Sequence, residues 1–237
     1  MQLESLIEEI LKDRKSGSSK IIKRTLELLK IVDESKREEI CSRILAVFPS
    51  MAGLKYIADC IEKNLRVDEI MDKIEDMNMK TSKNLAEIVE DRVVATLSRS
   101  HIVEKGLLSA KKINVLESKP AMEGLEMARW FKGRGKEVKV FYDAFLSYAV
   151  KRSDLVIVGA DTILRNGFVN KTGTLPLALV AKYFCKDFYV ASPSYKAASN
   201  IEFEEIFEFV DSNLVTAVVW EKGVNKFEDF VIKTFKN

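Results

Sequence analysis

Between residues 154 and 196 the chain gathers the side-chain types that could act on a small molecule. Asp161 follows a short apolar run with β-branched residues, 154–159, which reads as a strand buried on both faces. Such a strand delivers Asp161 to its carboxyl end, where open α/β sheets keep their ligands. Partial desolvation there would raise its pKa and suit it to general acid/base work, and a carboxylate that merely caps the turn accounts for the position equally well. Asn166-Gly167 marks a tight turn. Asn170-Lys171-Thr172-Gly173-Thr174 then leads into an apolar stretch with helical spacing, 175–184, with Thr174 as N-cap and Pro176 in the first turn. Free N–H groups at such a start, beside a solvated Lys171, favour an anion such as phosphate; the alternative is a surface loop with a structural glycine. A second strand, 188–191, ends in Ser192-Pro193-Ser194-Tyr195-Lys196, so two strand ends aim an acid, two lysines and hydroxyls at one cleft.

Arg14, Gly17 and Ser18 form a second candidate anion site, a helix start with a guanidinium beside it; taken alone they fit an exposed basic loop better. His101 is the only histidine and reads as a surface residue at a helix start, since one His makes neither a metal site nor a triad. Cys41, Cys60 and Cys185 are scattered without CxxC spacing, which favours reduced thiols in the cytoplasm over a disulfide framework or zinc. No metal and no cofactor are expected. A nicotinamide-dependent oxidoreductase is excluded because no GxGxxG follows the first strand.

The elements that must position these residues fall into two kinds. Residues 1–90 show helical apolar spacing: Leu3, Leu6, Ile7, Ile10 and Leu11 on a first helix, and Ile21 to Val32 on a second capped by Ser18 or Ser19. A third covers 34–48 and a fourth 51–63 after Pro49-Ser50. Residues 67–90 form one long helix, or two with a break near 79–82. From residue 91 the period changes. Strand-like runs at 93–97, 113–116, 138–142, 155–158 and 188–191 alternate with helical spacing at 100–110, 122–134, 144–152 and 175–184. A last strand at 215–220 and a closing helix at 227–235 follow. The fold class is therefore α/β, with a helical N-terminal domain (1–90) followed by a Rossmann-like, mostly parallel doubly wound domain (91–237). With 237 residues, 47% hydrophobic and 31% charged, the chain can bury a substantial core. Its net charge of +2 gives no signal for nucleic acid, and no apolar run reaches the roughly 18 residues of a membrane span. The acidic, amphipathic N-terminus is not a signal peptide.

The motifs GAD (159–161), NGFVNKTGT (166–174) and FYVASPSYK (188–196) resemble the family of the alpha, beta and delta subunits of translation initiation factor 2B and their archaeal homologues. Two sugar-phosphate isomerases, for methylthioribose 1-phosphate and ribose 1,5-bisphosphate, belong to the same family. The resemblance implies this two-part fold, a homodimer formed largely through the C-terminal domains, and a ligand at Asn170, Lys171, Gly173, Thr174 and Lys196. It implies an acid/base role for Asp161 if the chain is an isomerase. Arg14, Gly17 and Ser18 are similar to an isomerase RxxGA, with Ser18 for alanine. Glu117-Ser118-Lys119-Pro120 with Gly124 is similar to ExRPxxxG, with Lys119 for arginine, and Asp143 stands where the family also has aspartate.

Departures from the isomerase pattern decide the expectation. Thr96-Leu97-Ser98 replaces a threonine-histidine-cysteine stretch, putting Ser98 where the catalytic thiol stands, and a serine hydroxyl is a far weaker acid and nucleophile. Phe48-Pro49-Ser50 replaces Arg-Pro-Thr. The expected function is that of a non-catalytic, initiation-factor-2B-like regulator binding protein partners, initiation factor 2 subunits among them, and a sugar phosphate or nucleotide. The alternative is an aldose-ketose isomerase. Phe203, Phe207, Phe209, Trp220, Phe227, Phe230 and Phe235 exceed what a closing strand and helix need, and are expected to supply part of an interface.

Overall fold

The computed structural model describes residues 2–13 and 17–235. Five helices come first: α1 (Gln2–Leu11), α2 (Ser18–Ile31), α3 (Arg37–Val47), α4 (Ala52–Glu62) and α5 (Val67–Val89). Their apolar stripes meet in one core, with Ile7 and Ile10 of α1, Ile21, Leu26 and Leu29 of α2, Ile44 of α3, Ile57 of α4, and Ile70 and Ile74 of α5. The break considered near 79–82 does not occur, and α5 runs for 23 residues. Thr81 donates to the Met77 carbonyl (2.8 Å) and Ser82 to the Ile102 carbonyl (3.2 Å), so these polar residues use their hydroxyls without opening the helix. Gly17, not Ser18 or Ser19, is the N-cap of α2, which leaves the Ser18 hydroxyl for a partner elsewhere.

The rest of the chain alternates strand and helix: β1 (Val93–Thr96), α6 (His101–Gly106), β2 (Lys112–Leu116), α7 (Glu123–Lys132), β3 (Glu137–Phe141), α8 (Leu146–Lys151), β4 (Leu155–Gly159), β5 (Thr162–Leu164), β6 (Gly167–Lys171), α9 (Thr174–Tyr183), β7 (Asp187–Ala191), β8 (Phe207–Asp211), β9 (Ala217–Trp220), β10 (Gly223–Asn225) and α10 (Phe227–Thr234). Seven strands form a sheet in the order β10-β9-β7-β4-β1-β2-β3, parallel except for β10. Successive residues alternate between its faces. Ala95, Val156, Val158 and Val218 lie with α8, α9 and α10, while Val94, Leu155, Ile157 and Val219 lie with α5, α6 and α7. The second half of α5 thus belongs to the sheet's core through Leu85 and Val89, while its first half belongs to the helical core.

A second sheet, β5-β6-β8, is antiparallel, and its β8 had no counterpart in the sequence reading. The 201–211 segment mixes Glu and Phe so closely that neither period dominates. The Asn166-Gly167 turn does join β5 to β6.

Chain order reverses at β1, since β2 and β3 add on one side and β4, β7 and β9 on the other. A crevice opens at such a switch point between the carboxyl ends of β1 and β4. The helical part is anchored there by Thr162, which is fully buried. Its hydroxyl donates to the Ser50 carbonyl (2.8 Å) and accepts from the Ala52 N–H (3.0 Å), capping α4 across 110 residues where α4 has no cap of its own. Thr162→Val should therefore cost about 2 to 3 kcal/mol, because two buried backbone groups lose their partner, whereas Thr162→Ser should cost about 1 kcal/mol or less. Denaturant midpoints of the two variants test this, and equal losses would contradict the capping role.

Candidate functional site

The crevice is a cavity walled on one side by the helical part (Gly17, Ser18, Ser19, Phe48, Ser50, Met51) and on the other by strand ends and loops. The loop after β1 supplies Leu97 and Ser98, the end of β4 and the turn after it supply Gly159, Ala160 and Asp161, β6 supplies Asn170 and Lys171, and the loop after β7 supplies Lys196. Ser98 holds a left-handed backbone (φ 61°), and its N–H donates to the Ser118 hydroxyl (2.7 Å). Asp161, Ser98, Lys171, Lys196, Gly17 and Ser18 thus line one cavity. Arg14 lies outside the described residues.

Lys196 is the most constrained of these. It is buried, and its ammonium donates to the Ala160 carbonyl (2.8 Å) and the Ser18 hydroxyl (3.1 Å). Burial pushes its pKa down, opposed by the charge of Asp161. Burial also pushes Asp161 upward, against Lys196, the Ser18 hydroxyl and Lys171. Ser18 therefore joins an ammonium and a carboxyl that each find their charged form costly.

Lys171 differs from the solvated cation expected. It is buried, and its Nζ lies 2.8 Å from Glu123 Oε1, on the first residue of α7. The anion site expected at the start of α9 is largely occupied by protein. Gly173, with φ 96°, is the N-cap in place of Thr174. The Thr174 hydroxyl donates to the Lys171 carbonyl (2.5 Å) and accepts from Asn170 Nδ2 (3.0 Å), the Leu175 N–H donates to Glu208 Oε1 (2.8 Å), and Pro176 has no N–H. Neither Gly173 nor Thr174 lines the cavity.

Three further candidates also lie outside the lining. Asp143 accepts from the Ser118 N–H and the Lys119 N–H (2.8 Å each), so it clamps the 118–119 turn. Lys119 is two-thirds exposed, with its Nζ 3.5 Å from the buried Glu117. His101 is half exposed at the start of α6, as expected. Among the described residues, no group of His, Cys, Asp and Glu could hold a metal.

Sequence reasoning missed Glu123, Arg99 and Glu204, which all line the cavity. Arg99 donates to Glu104 (2.6 Å) and Glu126 (2.9 Å). The signal for Glu123 was present: it lies one residue before the Gly124 already singled out, and an added Gly124 Cβ would sit 1.8 Å from the Leu116 carbonyl, pinning α7 against β2.

A helical cap closed over the switch point of a mostly parallel sheet, with paired charges inside, defines an α/β protein with a small-molecule-sized cleft. The chain belongs to the initiation factor 2 subunit family, which it matches over residues 3–229. It is similar to a putative translation initiation factor eIF-2B subunit 2-like protein of Pyrococcus furiosus, 31% identical over 85% of this chain and 81% of that one. A methylthioribose-1-phosphate isomerase of Thermotoga neapolitana is 27% identical over 78% of this chain and 73% of its own. The crystal structure of translation initiation factor eIF-2B from Pyrococcus horikoshii OT3 superposes with a TM-score of 0.85 at 26% identity, over 95% of this chain and 97% of that one. The family therefore has initiation-factor and isomerase members alike.

The Lys196–Asp161 pair carries a pH prediction. A lysine whose folded pKa lies below its unfolded value binds fewer protons folded than unfolded, so stability rises with pH up to the unfolded value near 10.5. Asp161→Asn removes the one charge that opposes the burial effect on Lys196. This variant should melt earlier than the parent at pH 7 and recover as pH rises toward 10. Thermal melts across that window check it, and adding Lys196→Met should abolish the slope; a variant whose deficit is the same at every pH would contradict it.

Proposed function

We propose that the protein is a non-catalytic, initiation-factor-2B-like regulator that binds protein partners, initiation factor 2 subunits among them, and holds a small phosphorylated ligand, a sugar phosphate or nucleotide, in the cavity. The observation that carries this reading is the cavity's chemistry: among the described residues that line it there is an acid, Asp161, but no thiol and no imidazole, and Ser98 stands at the end of β1. Its own N–H donates to the Ser118 hydroxyl, and among the described residues no base is hydrogen-bonded to the Ser98 side chain. A serine without a base to activate it is a poor partner for proton shuttling. The start of α2, where Ser18 and Ser19 face the cavity, is the natural place for one phosphate. We place the protein in the cytoplasm, where its three free cysteines would stay reduced.

The isomerase alternative draws on Asp161, whose raised pKa would suit general acid work. Turnover separates the two. The purified protein should show no steady conversion of ribose 1,5-bisphosphate or methylthioribose 1-phosphate; rates of about 1 per second or more would overturn the regulatory reading.

Regulation by association needs a surface, and the aromatic residues that seemed surplus in sequence are not all available. Trp220, Phe227 and Phe230 are buried core residues. Exposed aromatics instead cluster around α8 and the end of α9: Tyr142, Phe145, Tyr148 and Tyr183, with 67% of Tyr142 and 80% of Tyr183 accessible. Consecutive rings along the first three lie 6.2 and 5.8 Å apart. Such a cluster is typical of interface cores, and we place the homodimer contact there. Light scattering should give a dimer at micromolar concentration, and Tyr142→Lys with Tyr148→Lys should give a folded monomer that melts somewhat lower, because the stabilisation by association is lost; a dimer that survives both changes would locate the contact elsewhere.

A further inference from the structure

We infer that Glu123 sets the charge the cavity accepts, so that a ligand turns a hydroxyl rather than a phosphate toward Lys171. The inference rests on the cavity being a ligand site, as proposed above, and it narrows the ligand to a sugar or nucleoside carrying a single phosphate.

Glu123 and Lys171 form a nearly enclosed ion pair, with side chains 15% and 7% exposed. Glu123 Oε1 is committed to the ammonium, but Oε2 is buried and has no hydrogen-bond partner among the described residues. A carboxylate only accepts hydrogen bonds, so this oxygen asks for a donor. A sugar hydroxyl is one, while a phosphate dianion brings further acceptors and a like charge. To reach Lys171, a phosphate would have to displace Glu123 and leave a carboxylate unpaired in the interior, which is the expensive way to break a buried pair.

The surroundings offer no compensation at that end. The Leu175 N–H is held by Glu208 and Pro176 has none, so the start of α9 has little left to give an anion. Arg99 is held by Glu104 and Glu126. Lys196 is engaged by Ser18 and the Ala160 carbonyl. The Lys171 end is therefore a place for hydroxyls.

Titration calorimetry with ribose 5-phosphate, ribose 1,5-bisphosphate and inorganic phosphate tests this on the parent, Glu123→Gln and Glu123→Ala. The parent should bind the monophosphate at least about tenfold more tightly than the bisphosphate. Either neutral variant should shrink that ratio by about tenfold or invert it, and should bind inorganic phosphate more tightly than the parent. A parent that prefers the bisphosphate overturns the inference, as does a folded variant with no gain for phosphate. If neither sugar ester binds the parent, the sugar-phosphate reading of the site falls, and the inorganic phosphate comparison still decides the role of Glu123. Isomerase turnover would overturn the regulatory reading alone.

Discussion

An ammonium buried at the seam between helices and sheet constrains everything around it. Lys196 cannot be hydrated where it sits, so its charge must be met by fixed groups, and these come from two distant parts of the chain: Ser18 opening α2, and Ala160 and Asp161 just after β4. Meeting those demands fixes where α2 begins relative to the end of β4. The neighbouring Tyr195 extends the link, because its ring lies in the helical core and its hydroxyl donates to Asn78 of α5 (3.0 Å). One short loop after β7 thus has consecutive side chains in the cavity and in the helical core.

The seam is also where the backbone is most demanding. Met51 caps α4 without a side chain, and the missing acceptor is the hydroxyl of Thr162, on the strand that follows Asp161. The same few residues, 160–162, therefore face the cavity, meet Lys196 and cap a helix. Capping of the helical part and shaping of the site are linked in this region, since Ala52 takes its partner from Thr162 and Lys196 takes one of its partners from Ser18. α5 reinforces the coupling by lending its two halves to two cores.

Much of this was legible in the sequence because it rests on local patterns. β-branched runs placed β1, β4 and β7, the end of β4 placed Asp161, and alternation of strand with helix gave the parallel sheet. What escaped depended on partners far away in the chain. Lys171 read as solvated because nothing beside it announces Glu123, 48 positions earlier. Thr174 has the right residue type for an N-cap, yet Gly173 takes that position because its φ of 96° suits glycine, and the threonine hydroxyl bonds backward to Lys171 instead. Asp143 and Lys119 sit at strand ends like ligand residues, but the Asp143 carboxylate is spent on a turn and the Lys119 ammonium lies beside Glu117, outside the cavity lining. Strand ends and motifs thus located the cleft, while its charge state was set by long-range pairing that no local pattern encodes.

Charge pairing also bears on how one fold serves both initiation factors and isomerases. A cavity whose described cations are already met by Glu123, Asp161, Glu104 and Glu126 has little positive charge to spare before any ligand arrives. A ligand gains little net attraction from such an interior and must instead complete hydrogen bonds left open, as at Glu123 Oε2. Catalysis asks for the opposite, groups held in costly states that the transition state relieves. Among the described residues of the cavity, burial opposes the charged forms of Asp161 and Lys196, and Ser18 bridges the two. The Lys196–Ser18 contact joins the sheet to the helical part at the cavity wall, so a group bound in the cleft would touch both parts at once.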